Sequence, residues 1–394
     1  MTPQELVLRF LTSVGRPAEA QQYLELFRGA RSAADAEEPG AFAIIHVSEP
    51  VLDHALDALV VDLRYLAELD LLPVLTFGAV SGARAQKSAQ RVAAALPPQV
   101  RAQVTAASQV AQALRDDCLP LVPLIASRGN GGTGGNGGGE VEADRRFDAL
   151  AELVAALGAK KLVYLGRRSG LQPRGGRVVS MIDLTTEAAT IGPTLPEPQA
   201  ALLRQIARVI DAVPHPMTVS VTSPLDLLRE LFTVKGAGTL VRRGCVVEAF
   251  SHWHELDRPR LISLVEEAFG KPLVSDFGSR PFLRAYVADD YRGAAIVTQT
   301  PLGPYLSKFA VTTVARGEGV GRDLWRHLTG ELPQLFWRSR ADNPITSWYR
   351  EQCDGLQRIT VQGQAWVVLW RGLSAAQLAA AIQYCQAAPP DFDS

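Results

Sequence analysis

From Phe42 onward the chain repeats one pattern: a short apolar run, a helical stretch, another apolar run. The runs are FAIIHV (42–47), LLPVLTFG (71–78), LPLVPLIA (119–126) and KKLVYLG (160–166), and the amphipathic stretch LDHALDALVVDLRYLAEL (52–69) separates the first two. Apolar runs without polar alternation are strands buried on both faces, and strands joined through helices pair in parallel. The pattern therefore predicts a three-layer α/β domain with a largely parallel sheet. Ahead of it, Thr2, Pro3 and Glu5 carry a helix-start signature, an N-cap with a capping box. After it, the helix SPLDLLRELF (223–232) leads into the glycine-punctuated VKGAGTLVRRG (234–244), which places the domain boundary at Lys235: residues 1–235, then 236–394. A chain of 394 residues has room for that second core.

The second segment has a different rhythm. After the helix RPRLISLVEEAF (258–269) come three strand-like runs, FLRAYVAD, GAAIVTQT and YLSKFAVTTVA, then a glycine turn and the helix GRDLWRHLTG, then the strands QLFWRSR and QAWVVLWRG. That succession predicts an α+β domain. Net charge is −1 with 21% charged residues, so the basic excess that nucleic acid binding requires is missing. Cys118, Cys245, Cys353 and Cys385 are too scattered for a zinc site or a disulfide framework, which suits a reducing cytoplasm. The most apolar stretch (55–75) is broken by Asp57, Asp62, Arg64, Glu68 and Asp70, and MTPQEL is neither basic nor apolar, so no membrane span or targeting peptide is expected.

Two glycine-rich stretches invite a phosphate assignment. RGNGGTGGNGGGE (128–140) has eight glycines in the eleven positions from Gly129 to Gly139. A phosphate cradle needs fixed amides, whereas this density maximises backbone freedom, and Glu140, Glu142 and Asp144 follow; a flexible surface insertion is expected. VARGEGVGRDLW (314–325) differs: its glycines are spaced, it follows a strand, and it opens a helix whose N-terminal amides attract anions. It lacks the Lys-Ser/Thr of a nucleotide-triphosphate loop, and on its own an ordinary glycine turn capping a helix fits it as well. Further on, strand alternation sets Arg338 and Arg340 on one face, where a dicarboxylate would satisfy both guanidiniums and Asn343 could add a neutral contact; a solvated basic edge is the plain alternative.

Arg316-x-x-Gly319-x-Gly321 matches the Gln/Arg-x-x-Gly-x-Gly/Ala pattern of the GNAT acetyltransferase superfamily, and from Leu231 to Gly372 the chain resembles the vertebrate-type N-acetylglutamate synthases and the bifunctional synthase-kinases. LFTVKGAGTL, YLSKFAVTTVARGEGVGRDLW and LFWRSRADNPITSWY carry that resemblance. It implies a GNAT domain that transfers acetyl from acetyl-CoA to the α-amine of L-glutamate, without a metal. It assigns glutamate to Lys235, Leu306, Phe309, Arg338, Arg340 and Asn343, and coenzyme A to Val311, Arg316, Gly317, Glu318, Gly319, Val320 and Gly321. Lys308 and Tyr349 fall in the catalytic segments, and the Tyr349 hydroxyl is the candidate acid for the departing thiolate unless it is simply a packed aromatic. His252 and His254 lack a third ligand and are not expected to hold a metal.

The first domain resembles the amino-acid kinase fold of acetylglutamate kinase. Active kinases of that fold carry Lys-x-Gly-Gly after the first strand and His-Gly-Ala-Gly after the second; here those places read His46-Val47-Ser48-Glu49 and Thr76-Phe77-Gly78-Ala79. Loss of the lysine and arrival of a carboxylate argue against phosphoryl transfer. The resemblance implies a regulatory domain sensing L-arginine and a homo-oligomer, dimer or tetramer. A bifunctional synthase-kinase and a non-catalytic arginine sensor are the alternatives.

Overall fold

The computed structural model describes residues 17–32, 41–125, 138–233, 236–313 and 315–393. The helix start at Thr2, Lys235, and Gly129 to Gly137 of the glycine-rich stretch lie outside these residues. The chain divides into two compact units, Met1–Arg243 and Gly244–Ser394.

In the first unit, eight strands among the described residues form one sheet: β1 (Ile44–Val47), β2 (Val74–Phe77), β3 (Ala102–Val104), β4 (Leu119–Pro123), β5 (Lys161–Leu165), β6 (Met181–Asp183), β7 (Thr218–Thr222) and β8 (Thr239–Arg242). Their order is β3-β4-β2-β1-β5-β7-β8-β6, and β7 with β8 is the one antiparallel pair. Ile45, Val47, Leu75, Phe77, Val163 and Leu165 face one helical layer, including Leu24 and Phe27 of helix Pro17–Ser32 and Leu59, Leu63 and Leu66 of helix Leu56–Glu68. Ile44, Val74, Leu162, Tyr164, Val219 and Val221 face the other, with Leu150 and Val154 of helix Gly138–Ala156 and Leu203 and Ile206 of helix Glu197–Ala212. Both faces are dry, which is why the strand runs do not alternate. This is the expected three-layer architecture.

The boundary needs correction. The exit after Lys235 is a turn into β8, whose residues pair with β7 from Thr218↔Arg242 to Val221↔Thr239, so the first unit runs to Arg243. Gly238, at φ 111°, makes that pairing possible: a Cβ there would collide with the Val221 carbonyl oxygen.

The second unit is built on a seven-stranded sheet: β9 (Val247–Phe250), β10 (Arg284–Ala288), β11 (Gly293–Thr300), β12 (Gly303–Val311), β13 (Leu335–Arg340), β14 (Gly355–Val361) and β15 (Gln364–Arg371), ordered β14-β15-β13-β12-β11-β10-β9. Neighbours are antiparallel except β12 and β13, which need the crossover that helix Val320–Glu331 supplies. That helix and helix Thr346–Gln352 cover one face; helices Arg258–Phe269 and Ala375–Ala387 cover the other. Among the described residues, no helix is long and apolar enough to cross a membrane.

Candidate active site

Parallel strands β12 and β13 are joined by a single bridge, Tyr305↔Phe336. Beyond it β12 continues to Val311 and β13 to Arg340 without pairing, so the two splay and the β12 main chain presents an unladdered edge. On its other side β12 pairs with β11, but Ile296 faces Lys308 while Val297 faces Leu306. Ser307 is thus the extra residue of a bulge, and the bulge re-aims the side chains that follow. Leu306, Phe309 and Val311 go to one face, and Tyr305, Lys308 and Ala310 to the other.

The β12 edge runs into the glycine turn. The Arg316 amide donates to the Thr312 carbonyl at 3.1 Å and the Glu318 amide to that of Ala315 at 3.2 Å. Gly317 and Gly319 take left-handed φ of 85° and 83°, and Gly319 is the N-cap of helix Val320–Glu331. The amides of Val320 and Gly321, in the first helical turn, have no acceptor within the helix. Two side chains expected at this turn brace it. The Arg316 guanidinium reaches the carbonyls of Val311 (3.3 Å) and Ala268 (2.9 Å), tying the turn to the end of helix Arg258–Phe269, and Glu318 forms an ion pair with Arg292. Asp323, which would oppose an anion at this helix start, is 1% exposed and points inward, accepting from the Cys245 amide at 3.0 Å.

Leu306, Phe309 and Tyr349 share an aromatic core with Trp325 and Trp337. The Tyr349 ring lies 5.4 Å from Trp337 and 6.2 Å from Phe309, and burial pushes its hydroxyl well above the ordinary tyrosine range. The phenol is fixed in place and keeps its proton.

On the opposite face is a cavity of about 260 Å³ lined by Trp253, Phe282, Thr298, Tyr305, Ser307 and Arg338, among others. Arg338 donates to the carbonyls of Cys385 (2.7 Å) and Pro389 (3.0 Å), and its guanidinium stacks 4.8 Å over Trp366. Arg340 shares that strand face, as the alternation requires, but stands outside the cavity lining, 43% exposed and 3.3 Å from Asp342. Asn343 closes the following turn: its amide donates to the Arg340 carbonyl and its side chain accepts from the Ile345 amide at 3.3 Å. Arg338 and Arg340 are therefore one face but two environments.

Lys308 is not a solvated strand lysine. It is 3% exposed, lies between the rings of Phe277 and Phe392 (5.1 and 5.2 Å), and pairs with Asp391. Burial lowers its pKa while Asp391 opposes that shift. Asp391 also accepts from Arg280 at 2.9 Å. Sequence reasoning passed over Arg280 and Asp391, because an arginine before a strand and an aspartate after a proline pair carry no spacing signal. His252 and His254 stack at 5.3 Å, and among the described residues no three potential metal ligands lie together.

In the first unit, the place where kinases of the resembled fold carry lysine holds His46, 1% exposed, 3.1 Å from the Thr76 hydroxyl and stacked on Tyr164. Burial drives its pKa down to about 3, so the imidazole is neutral. Glu49 opens the next helix, 4.0 Å from Arg84. The loop after β2 is held by Arg146, 5% exposed, which donates to the carbonyls of Ala79 (3.3 Å) and Val80 (3.0 Å).

Residues 248–388 match the family described as NAT, the N-acetyltransferase of N-acetylglutamate synthase. Mitochondrial N-acetylglutamate synthase of Homo sapiens is 31% identical over 417 residues, covering 94% of this chain and 76% of that protein. Acetylglutamate kinase of Xylella fastidiosa strain 9a5c is 37% identical over 273 residues, 68% of this chain; the chain spans 63% of that relative's length. N-acetylglutamate synthase from Neisseria gonorrhoeae, crystallised with coenzyme A and N-acetyl-glutamate, shares the fold: TM-score 0.50 and 18% identity over 90% of this chain and 98% of that one.

Proposed function

Because the chain belongs to the N-acetylglutamate synthase family, we propose that it transfers the acetyl group of acetyl-CoA to the α-amine of L-glutamate. The observation that carries this is the unladdered edge of β12, set between an anion-attracting turn and a cavity with cationic walls. Pantetheine amides pair with that edge, and the pyrophosphate lies on the main chain of Arg316 to Gly321, next to Val311. The thioester carbonyl then faces the β12 amides, which stabilise its developing oxyanion.

Glutamate occupies the cavity. Its carboxylates are drawn to Arg338 and to Arg340 on the same strand face, beside Asn343, with Leu306 and Phe309 fixing the strand on which the site is built; Lys235, outside the described residues, joins the set by the family resemblance alone. The free amine attacks the thioester carbon and the C–S bond breaks as the amide forms; Tyr349 supplies a proton to the departing thiolate and is restored by the proton that the amine nitrogen gives up. The gonococcal relative has also been crystallised with coenzyme A and L-arginine, which supports arginine as an effector of the first unit here. Self-association into a dimer or tetramer belongs to the same proposal, as does a reducing, cytoplasmic setting, which four cysteines outside any disulfide suit.

The acetylglutamate kinase relatives favour a second reading, a bifunctional synthase-kinase. A neutral buried His46 and the Glu49 carboxylate oppose it, since neither can offset the charge of a transferring phosphoryl group. Release of coenzyme A with glutamate, glutamine or aspartate as acceptor, run beside ATP-dependent phosphorylation of N-acetylglutamate, tests both. Glutamate-dependent release without phosphorylation is the expected outcome; no release with any acceptor would leave only an arginine-sensing protein.

A further inference from the structure

Building on the acyl-transfer reading, we infer that Asp391 is a positioning residue of the acceptor site, a fixed carboxylate that holds the Lys308 ammonium at the β12 bulge and makes the segment 388–391 one wall of the cavity. Neither Asp391 nor Arg280 belongs to the strands that carry the rest of the site.

The segment after helix Ala375–Ala387 is pinned from several sides. The Val274 amide donates to the Asp391 carbonyl and the Asp393 amide to that of Pro272, each at 3.1 Å, and Leu273 bridges Phe392. Arg338 holds the carbonyls of Cys385 and Pro389. The Asp391 side chain is thereby placed with one oxygen on Lys308 Nζ and the other 2.9 Å from Arg280 Nη1, while Asp276 takes the remaining side of Arg280 at 2.9 and 3.0 Å.

All three donors of Lys308 are accounted for: the Ser307 carbonyl at 3.2 Å, the Ser307 hydroxyl at 3.3 Å, and Asp391. The ammonium is thus locked onto the bulged residue itself. Burial and two further cations, Arg338 and Arg280, disfavour its charge; Asp391 is the carboxylate that opposes them. A buried ion pair is a poor stabiliser, since apolar residues of similar size commonly serve as well. Its place here, with Asp391, Ser307, Arg280 and Arg338 all lining the cavity, fits electrostatic positioning better than packing. Cations outnumber carboxylates along that wall, which suits a dicarboxylate acceptor.

The test compares Asp391→Asn, Asp391→Glu, Lys308→Gln and the double variant Asp391→Asn/Lys308→Gln in the full chain. Three quantities are followed: kcat/KM for glutamate across pH at saturating acetyl-CoA, KM for acetyl-CoA, and the titration of Lys308 by NMR with ¹³C-labelled lysine. A carboxamide leaves the ammonium without a counter-charge, so the Lys308 pKa falls. Charge-dependent activity is present below that pKa and lost as pH rises through it, so the alkaline limb of Asp391→Asn moves to lower pH. A displacement of about one unit gives roughly a tenfold loss on that limb, with recovery at lower pH. Asp391→Glu retains more activity than Asp391→Asn, KM for acetyl-CoA holds, and adding Asp391→Asn to Lys308→Gln changes little, because the two residues act as one unit. An equal loss at every pH, or the same penalty in the Lys308→Gln background, would reduce Asp391 to wall packing and overturn the inference. If Asp391→Asn does not fold, the Lys308 titration in Asp391→Glu against wild type decides. Absence of glutamate acetylation by wild type would refute the enzyme assignment instead, and an unmoved Lys308 titration would refute the role of Asp391 whatever the activity.

Discussion

Arg338 and Arg340 differ by two positions and share a strand face, yet their removal is expected to split stability from turnover. Arg338 donates to two carbonyls at 2.7 and 3.0 Å and stacks over Trp366 at 4.8 Å. A hydrogen bond from a charged donor contributes about 1.5–3 kcal/mol, and a part-exposed cation–π contact about 0.5–1 kcal/mol. Because these contributions share one side chain and are not additive, Arg338→Ala should cost on the order of 2–4 kcal/mol of stability, independent of substrate. For a unit of this size that corresponds to roughly 4–16 °C in Tm. Arg340, 43% exposed beside a 74% exposed Asp342, should cost between about 0 and 1 kcal/mol, within the range of exposed ion pairs. Both alanine variants should still lose kcat/KM for glutamate, Arg340→Ala with little thermal cost. Arg338→Lys should recover only part of the stability, since an ammonium keeps the charge but not the planar fork that reaches two carbonyls. Thermal melts by circular dichroism paired with glutamate saturation curves measure the split. An Arg338→Ala protein with wild-type Tm, or an Arg340→Ala protein as destabilised as Arg338→Ala, would refute the assignment of their environments.

Gly319→Ala should raise KM for acetyl-CoA, because φ 83° strains any side chain there, whereas Gly321→Ala should be mild: its Cβ would meet Phe309 at 3.5 Å, an ordinary contact, and steady-state kinetics with acetyl-CoA distinguishes them. His46→Lys should lower Tm by several degrees without creating phosphoryl transfer, since it puts an unpaired charge at a site 1% exposed; ATP turnover in that variant would contradict this. Asp62, 9% exposed with Oδ2 lacking a hydrogen-bond partner, has its pKa raised by burial to about 7. Its folded pKa exceeds the unfolded one, so stability is lost as pH rises from about 4 to 7; Asp62→Asn should stabilise by about 1–4 kcal/mol at pH 8, and urea melts should show the gain vanishing near pH 4.

The layered sheet of the first unit was legible because double-sided burial writes unbroken apolar runs, as in FAIIHV. Strands without that signature escaped: β9 is an exposed edge and β14, GLQRITV, mixes polar and apolar residues without a dry face. The boundary was misplaced because VKGAGTL reads as punctuation, while its last residues enter β8 through a glycine that only close approach to Val221 explains. In the site, periodicity gave the shared face of Arg338 and Arg340 but not the surroundings of Arg338, which Cys385 and Pro389 determine from far along the chain. The bulge at Ser307, which sends Lys308 away from Leu306 and Phe309, has no sequence mark at all.

The proposal that the first unit carries the kinase-like fold without phosphoryl transfer rests on particular residues. A sheet buried on both faces tolerates exchange at strand ends provided each newcomer is either neutral or paired. His46 meets the first condition: stacked on Tyr164 and hydrogen-bonded to Thr76, it needs no counter-ion, whereas a lysine there would need a bound phosphate to justify its charge. Arg146 meets the second through the carbonyls of Ala79 and Val80, donors turned inward on the loop where a phosphate-binding enzyme would aim them at its ligand. Gly78, at φ 92° and with Ala85 2.6 Å from where a Cβ would stand, is called for by the backbone and the packing of this loop. At both places, His46 and Arg146, the polar groups are satisfied within the unit itself. On the proposed reading, a unit whose polar groups are satisfied without a phosphoryl substrate serves as a binding platform for an effector, the role the family resemblance assigns to it.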